Sequence, residues 1–308
     1  MKIVYFGTPD FAVLPLKNIV NNGYEVVAVV SQPDKPVGRK QIMTPSAVKE
    51  TALSFNIPVY TFNKVSKEGV ELLKSLNADL FVTCAYGQIL SSEILAIPPL
   101  GTINIHASLL PKLRGSSPIQ WAIINGEKET GVTIMMTDIG VDTGDIILSK
   151  KITIDDNETA GELFDRLSTL GADAVIDALK LFDEGKVVKT PQNHLEATHT
   201  KMLTKEFGKI DFNQPATKIH DLVRGLNPWP VAFTSICGEV VKIYKTTPVD
   251  ASGKVGEVLS SDPKNGLIIA CKHGAIKILE LQRQGGKRLN ADDFLRGYKI
   301  EVGIVIND

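Results

Sequence analysis

The first thirty residues contain a strand, a helix and a second strand, and this order limits the folds open to the chain. Residues 2–6 are a short apolar run, residues 11–20 have the apolar spacing of an amphipathic helix, and residues 24–30 are a second apolar run. Continuous apolar strands joined by a helix are typical of parallel strands that are buried on both faces. The sequence therefore predicts an α/β domain with a Rossmann-like, mostly parallel sheet.

The same alternation continues through the first 190 residues. Helices are predicted over residues 46–55, 67–76, 119–125 and 159–182, and strands over residues 59–60, 79–85, 101–106, 131–136 and 146–154. The turn after the first strand has the single glycine Gly7 where a dinucleotide fingerprint has three, which excludes a nicotinamide or flavin dinucleotide site there. Ligands of an open parallel sheet bind beyond the carboxyl ends of its strands, so residues 86–90 and the end of strand 101–106 should meet at one crevice.

The last third of the chain changes character. Short apolar strands are predicted over residues 232–236, 240–246, 256–259, 267–271 and 275–279, separated by turns rich in glycine, lysine and proline. This spacing is typical of a small barrel or sandwich. We therefore predict an α/β domain over residues 1–189, a linker without periodicity over residues 190–206, and a small OB-like β-barrel domain over residues 207–308.

Composition limits the class of protein. With 43% hydrophobic and 22% charged residues the chain can bury a sizeable core. Cys84, Cys237 and Cys271 are far apart and odd in number, so we predict neither a disulfide framework nor a metal site. No secretory signal and no apolar run of about twenty residues is visible, which favours the cytoplasm. The net charge is −1, although residues 207–308 are mildly basic, which is weak evidence for nucleic-acid contact.

Candidate catalytic groups cluster between residues 101 and 145. Alternation along strand 101–106 places Asn104 and His106 on one face, and a loop farther on carries Asp138, Asp142 and Asp145. An amide can hydrogen-bond to a developing oxyanion, an imidazole can move a proton near neutral pH, and a carboxylate can orient the imidazole. This set suits transfer of an activated acyl group to an amine. From the Asn-x-His tripeptide alone, a hydrogen-bonded core pair or loop cap stays the alternative.

The surrounding motifs are more specific. Asn104-x-His106 is followed by Ser-Leu-Leu-Pro at residues 108–111 and by Asp-Thr-Gly-Asp at residues 142–145. This pattern resembles the 10-formyltetrahydrofolate-dependent formyltransferases. Gly-Thr-Pro-Asp-Phe at residues 7–11, Gln-Pro-Asp-Lys-Pro at residues 32–36 and Asn-Pro-Trp-Pro at residues 227–230 are similar to the members that act on methionyl-tRNA. The resemblance runs from Met1 to about Gly297.

The resemblance implies a formyltransferase catalytic domain in which Asn104, His106 and Asp142 are the catalytic residues. The co-substrate would be 10-formyltetrahydrofolate, with no metal, and the pterin would lie against residues 86–90. The residues implied in binding the folate are Tyr86, Gly87, Gln88, Ile89, Leu90, Ser108, Leu109, Leu110, Pro111 and Asp138.

The resemblance also implies that the partner is initiator methionyl-tRNA. The polar loop at residues 31–44 would contact the acceptor stem through Lys35 and Arg39, and Lys40 could share that role because the family loop often has one more residue. The C-terminal barrel would bind tRNA by phosphate contacts that do not read sequence. We expect a monomer. Candidate barrel cations are Lys242, Lys245, Lys272, Lys277, Arg283, Lys287 and Arg288.

Three other functions stay open at this point. The acceptor could be a sugar-nucleotide amine, since such formyltransferases share the two-domain plan, or glycinamide ribonucleotide, whose enzymes resemble only the first domain. The chain could instead be a non-catalytic RNA-binding protein on a relic catalytic fold. Intact Asn104, His106 and Asp142 argue against the last of these.

Overall fold

A computed structural model of the protein describes residues 1–38 and 40–306. The chain forms two compact units, and neither is continuous in sequence. The α/β unit comprises Met1–Pro118, Thr130–Ile152 and Phe164–Thr200, and the β unit comprises Ile119–Glu129, Thr153–Leu163 and the chain from Lys201 onward. The predicted division at residues 189 and 206 is contiguous, whereas these units are interleaved.

The regular elements alternate as predicted in the first half and are mostly strands in the second. The strands are β1 (Lys2–Gly7), β2 (Glu25–Ser31), β3 (Lys35–Val37), β4 (Ile42–Thr44), β5 (Val59–Thr61), β6 (Leu80–Cys84), β7 (Thr102–His106), β8 (Arg114–Gly115), β9 (Glu129–Met136), β10 (Ile146–Thr153), β11 (His199–Thr200), β12 (Ala232–Ile236), β13 (Glu239–Val249), β14 (Val258–Asp262), β15 (Gly266–Ala270), β16 (Ala275–Arg283) and β17 (Arg288–Asn290). The helices are α1 (Val13–Asn21), α2 (Ala47–Ser54), α3 (Val65–Glu68), α4 (Val70–Ser75), α5 (Ser92–Leu95), α6 (Pro118–Ile124), α7 (Ala160–Asp183), α8 (Ala216–Gly225) and α9 (Ala291–Gly297).

The sheet of the α/β unit has the strand order β10-β9-β7-β6-β1-β2-β5. Strands β1, β2, β5, β6 and β7 pair in parallel. Strand β6 is buried at every position, and Val4, Phe6, Val30 and Phe81 belong to one apolar cluster. Strands buried on both faces account for the continuous apolar runs in the sequence. The predicted Rossmann-like parallel sheet is confirmed.

One strand of this sheet reverses direction. Strand β9 is antiparallel to β7, with Met136 opposite Ile103 and Thr133 opposite His106. The amide of Thr137 donates to the carbonyl of Thr102 at 2.7 Å, so the loop that follows β9 begins beside the start of β7. The Asp142 loop therefore leaves the sheet at the end opposite to His106.

The β unit is built around antiparallel strands in the order β12-β13-β16-β15-β14, with β17 added beside β16. Its core includes Val241, Ile243, Leu267 and Ile278, and Trp121 of α6 packs against it. The predicted C-terminal domain of short antiparallel strands is confirmed. In the part of the chain that the structure describes, no helix has both the length and the apolar composition to span a bilayer.

Candidate active site

Asn104 lies in the middle of the sheet, where β7 is flanked by β6 and β9. It is paired with Thr83 on one side and with Met135 on the other. The Thr83 hydroxyl lies 2.8 Å from Oδ1 of Asn104 and 3.1 Å from the carbonyl of Ile103. A hydroxyl has one proton, and we assign it to the shorter contact. The Thr83 hydroxyl therefore occupies Oδ1 of Asn104 and not its Nδ2.

His106 is buried at the end of β7, with 6% of its surface exposed. Its Nε2 lies 3.0 Å from the carbonyl oxygen of Leu113. A carbonyl only accepts, so Nε2 carries a proton. The other ring nitrogen, Nδ1, lies 3.6 Å from Oδ2 of Asp142, which is longer than a hydrogen bond. Catalytic hydrogen bonds are often long before substrates bind.

Asp142 reaches His106 because its loop folds back along the sheet. Its backbone is left-handed, with φ of +53°, a conformation that aspartate adopts more readily than most side chains. Its Oδ2 accepts from the amide of Gly115 at 2.8 Å. The imidazole and the carboxylate of the predicted trio are therefore brought together, and Asn104 lies two residues before His106 on the same strand.

No activated nucleophile is found at the neighbouring strand end. Cys84 ends β6, and burial raises the pKa of its thiol to about 12, which keeps it protonated at neutral pH. Tyr86 follows it, and burial, reinforced by the negative charge of Glu68, raises the pKa of the phenol to about 12. Neither group is therefore an activated nucleophile at neutral pH.

The loop at residues 86–90 combines buried anchors with an exposed apolar tip. The carbonyl of Tyr86 accepts from the Thr8 hydroxyl at 2.9 Å and from Gln32 Nε2 at 3.1 Å. Gly87 has φ of +87°, Leu90 is buried, and Ile89 is 80% exposed. Oε1 of Gln88 accepts from the amide of Val65, and Nε2 donates to the carbonyl of Phe62, at 2.9 Å each. These two bonds give the Gln88 side chain a structural role.

The loop at residues 108–111 is tied to β9 by Thr133. The Thr133 hydroxyl donates to the carbonyl of Ser108 at 2.7 Å and accepts from the amide of Leu110 at 3.2 Å. Ser108 and Leu110 are buried, Leu109 packs over Gly131, and the Leu110–Pro111 bond is cis.

Asp138 organises its own loop. Its Oδ1 accepts from the amide of Gly140 at 3.0 Å and from the Thr143 hydroxyl at 2.6 Å. The same loop presents two apolar side chains, Ile139 at 82% and Val141 at 59% exposure.

The predicted RNA-binding loop is an antiparallel hairpin of β3 and β4, with Lys35 opposite Thr44. Lys35 and Lys40 are exposed, and Arg39 lies outside the described residues. The neighbouring Asp34 is paired with Lys49 at 2.8 Å. The sequence predicted a loop here because neither strand has more than three residues.

Two of the seven predicted barrel cations are already neutralised within the β unit. Arg283 pairs with Glu239 at 2.9 Å, and Arg288 pairs with Glu280 at 2.6 Å. Both carboxylates reduce the attraction that these arginines could offer to a phosphate backbone.

Sequence reasoning missed Arg114 and Gln192. No local sequence pattern marked Arg114, and Gln192 lies in the segment predicted to be a linker. Both side chains are buried, since Arg114 is 3% and Gln192 is 6% exposed. Arg114 Nη2 and Nε donate to Gln192 Oε1 at 2.7 and 3.1 Å. Within residues 1–38 and 40–306, no group of His, Cys, Asp and Glu side chains is arranged to hold a metal ion.

Comparison with known proteins places the chain in a family. Residues 1–179 match the family model for the formyl transferase domain, and residues 202–299 match the formyl transferase C-terminal domain. The methionyl-tRNA formyltransferase of Ruminiclostridium cellulolyticum is 46% identical over 308 residues, which cover 98% of each chain. The chain belongs to the methionyl-tRNA formyltransferase family. The resemblance inferred from the sequence motifs is therefore confirmed, and the family is one of one-carbon group transferases.

Solved structures share the fold of this family member. The N-formyltransferase of Helicobacter canadensis, solved with folinic acid and dTDP-3-aminofucose, has a TM-score of 0.69 at 23% identity and covers 90% of this chain and 99% of its own. The methionyl-tRNA formyltransferase of Clostridium thermocellum has a TM-score of 0.58 at 22% identity, and the match covers 80% of this chain and 93% of that one. At these identities the likeness concerns the fold alone.

Proposed function

We propose that the protein transfers the formyl group of 10-formyltetrahydrofolate to the amino group of the methionyl residue on initiator methionyl-tRNA. The product would be N-formylmethionyl-tRNA for translation initiation. The observation that carries the proposal is the convergence of Asn104, His106 and Asp142 in the α/β unit, with His106 Nδ1 3.6 Å from the Asp142 carboxylate. The family membership supports the choice of acceptor. We also infer a monomer in the cytoplasm.

In this proposal Asn104 makes the direct contact with the oxyanion. The bound folate supplies an activated formyl carbon, the amine nitrogen bonds to that carbon, and the bond from the carbon to the folate nitrogen breaks. As the formyl oxygen becomes negative, Nδ2 of Asn104 donates to it, because Oδ1 faces the Thr83 hydroxyl at 2.8 Å. Preorganised donors of this type are worth roughly 10²–10³ in rate.

His106 and Asp142 supply charge and a route for the proton. Nε2 of His106 donates to Leu113, so an imidazolium would carry its second proton on Nδ1, facing the Asp142 carboxylate. Its positive charge would stabilise the oxyanion beside Asn104. The carboxylate would hold the ring and help the amine proton to leave through water. That proton would end on the folate nitrogen whose bond to the formyl carbon has broken.

The loops predicted to bind folate fit that co-substrate by their surface chemistry. Residues 86–90 and 138–143 each present a large apolar side chain that is four-fifths exposed, Ile89 and Ile139, next to backbone groups that can pair with a pterin. Ser108, Leu109, Leu110 and Pro111 would lie along the same molecule. Lys35, Arg39 and Lys40 would contact the tRNA.

Formylation assays test the proposal. The purified protein and 10-formyltetrahydrofolate are incubated with charged initiator methionyl-tRNA, with free methionine, and with an amino-sugar nucleotide. We expect transfer to the charged tRNA alone. Transfer to the sugar alone would replace the acceptor while keeping the catalytic residues, and salt-sensitive tRNA binding without any transfer would favour the RNA-binding protein.

A single substitution tests the oxyanion contact. Asn104→Ala should lower kcat about 100- to 1,000-fold and leave the melting temperature within a few degrees of the wild type. Asn63→Ala, at an exposed asparagine of the same unit, is the matched control and should keep wild-type turnover. Single-turnover rates of Asn104→Ala equal to the wild type would contradict the assignment.

A further inference from the structure

The backbone around Asp142 is held by one side-chain amide. Nε2 of Gln192 donates to the carbonyl of Asp142 at 3.0 Å and to the carbonyl of Gly144 at 2.7 Å. An amide nitrogen has two protons, so both carbonyls can be satisfied by the same group. These bonds span 50 and 48 residues of sequence. A residue from the predicted linker therefore fixes both sides of Thr143.

The orientation of this amide is determined by Arg114. Nε and Nη2 of Arg114 both point to Oε1 of Gln192, at 3.1 and 2.7 Å. Arginine has donors only, so the atom that it faces must be the oxygen, and the nitrogen must face the two carbonyls. Nη2 also lies 3.1 Å from Nδ1 of His194, which must be the acceptor for the same reason.

Arg114 is an unusual residue to bury. The residue is 3% exposed, and in the part of the chain that the structure describes it forms no ion pair with a carboxylate. Burial of an unpaired charge is costly unless hydrogen bonds replace the water that is lost. Gln192 and His194 supply those bonds. We interpret the buried Arg114 as a group that fixes the position of the residues on either side of it.

Those neighbours are bonded to both the imidazole and the carboxylate of the candidate site. The carbonyl of Leu113 accepts from His106 at 3.0 Å, and the amide of Gly115 donates to the Asp142 carboxylate at 2.8 Å. Thr198, the residue directly before β11, holds the tripeptide Leu113–Gly115 in place, because the amides of Leu113 and Arg114 donate to its hydroxyl and its carbonyl at 2.8 and 2.9 Å.

We propose that Gln192 and Arg114 are positioning residues that set the distance and angle between the Asp142 carboxylate and the His106 ring. The proposal rests on the proposed function, in which that pair stabilises charge during formyl transfer. Neither residue touches the reactants in this account. Their effect passes through the Asp142 backbone and through the Leu113–Gly115 tripeptide.

Gln192→Met tests the proposal, since methionine keeps the shape of glutamine and removes all four hydrogen bonds. We expect kcat to fall about 10- to 100-fold, as for a displacement of roughly 1 Å in a catalytic group, with the KM for folate and for tRNA unchanged. Gln192→Glu keeps the acceptor for Arg114 but turns an oxygen toward the two carbonyls, so its kcat should fall by a similar factor. Asn193→Ala, on the exposed side of the same segment, is the control and should stay at wild-type turnover.

A double-mutant cycle separates positioning from general stability. If Gln192 acts through Asp142, then Gln192→Met should lower kcat less than 2-fold in an Asp142→Asn background, whereas a merely structural loss would be additive. Loss of turnover in Asp142→Asn together with wild-type kcat in Gln192→Met would overturn this inference and leave the proposed function intact. Wild-type kcat in Asp142→Asn would instead overturn the role proposed for Asp142.

A readout without catalysis completes the test. The amide of Gly115 is bonded to the Asp142 carboxylate, so its hydrogen exchange should become at least tenfold faster in Gln192→Met. The amide of Asp79, bonded to the carbonyl of Lys2 at 2.8 Å, reports on the sheet and should keep its protection. Unchanged exchange at Gly115 would overturn the proposal whatever the activity.

Discussion

At the scale of single residues, the candidate site depends on which atom of each polar group is left for the reactants. The spacing of Asn104 and His106 on one strand predicted that both side chains face the same way. Their hydrogen-bond partners, Thr83 and Leu113, decide which atoms are occupied. Thr83 lies 21 residues upstream on a neighbouring strand. Which atom of Asn104 is occupied could therefore be learned only from the way the two strands pair.

Thr83→Val should reduce turnover without a change in fold. Valine has the shape of threonine but cannot donate to Oδ1 of Asn104, so the amide loses the bond that orients it. We expect kcat to fall about tenfold, since a misoriented donor contributes less to the transition state, while the KM values stay constant. Steady-state kinetics with charged tRNA measures this.

Thr83→Ser is the matched control for that substitution. It keeps the hydroxyl and should retain most of the wild-type kcat. Equal turnover in the valine and serine variants would show that the Thr83 hydroxyl does not orient Asn104.

At the scale of elements, the sequence predicted the long apolar strands and missed the short paired ones. Strands β6 and β7 are specified by their own apolar residues. Strands β8 and β11 have two residues each, and only their parallel pairing across 85 residues defines them. No local pattern can indicate such a pair. For the same reason the buried Gln192 could not be distinguished from the polar residues of a linker.

The β3–β4 hairpin makes a separate prediction about RNA. Lys35 and Lys40 are exposed, and within the described residues neither forms an ion pair. The double variant Lys35→Ala, Lys40→Ala should raise the KM for charged tRNA and lower the slope of log affinity against log salt by roughly one per lysine. The KM for folate should not change. Binding titrations at several salt concentrations measure the slope.

Lys17→Ala is the control for the hairpin variant. Lys17 is an exposed lysine of α1, outside the predicted RNA-binding loop, and its loss should leave the salt slope at the wild-type value. An equal change in both variants would mean that the slope reports total charge instead of contacts by the hairpin.

At the scale of the whole molecule, the β unit depends on chain segments from the middle of the sequence. Nε2 of His220, in α8, donates to the carbonyl of Asp156 at 3.1 Å, and Nδ1 lies 3.1 Å from the Thr246 hydroxyl. Arg224, on the same helix, donates to the carbonyls of Asp155 and Glu158 at 3.1 Å each. These bonds hold residues 153–163 within the β unit.

The stability of the β unit should therefore depend on pH through His220. Burial lowers the pKa of this histidine, and the nearby Arg224 guanidinium acts in the same direction, whereas the hydrogen bond to Asp156 opposes them. The unfolded chain therefore binds a proton at His220 more readily than the folded chain does. The stability that the buried, neutral histidine contributes is present above the ordinary histidine pKa of about 6.5 and is lost as pH falls below it.

Melting curves at pH 7.5 and pH 5.5 measure this dependence. We expect the fall in Tm on acidification to be smaller in His220→Gln than in the wild type. His273→Gln, at an exposed histidine of the same unit, should behave like the wild type. The same fall in Tm for His220→Gln as for the wild type would exclude His220 as the group responsible.

The interleaving of the two units also has a consequence for how the protein is made. Trp121 and Ile124 of α6 pack against the β core, but the chain from Lys201 onward, which supplies most of that core, is synthesised later. At typical translation rates of 5–20 residues per second, the 72 residues from 129 to 201 take about 4 to 14 s. For that time their partners in the β core have not been made, so this part of each nascent chain must wait before it can bury its apolar side chains in the β unit.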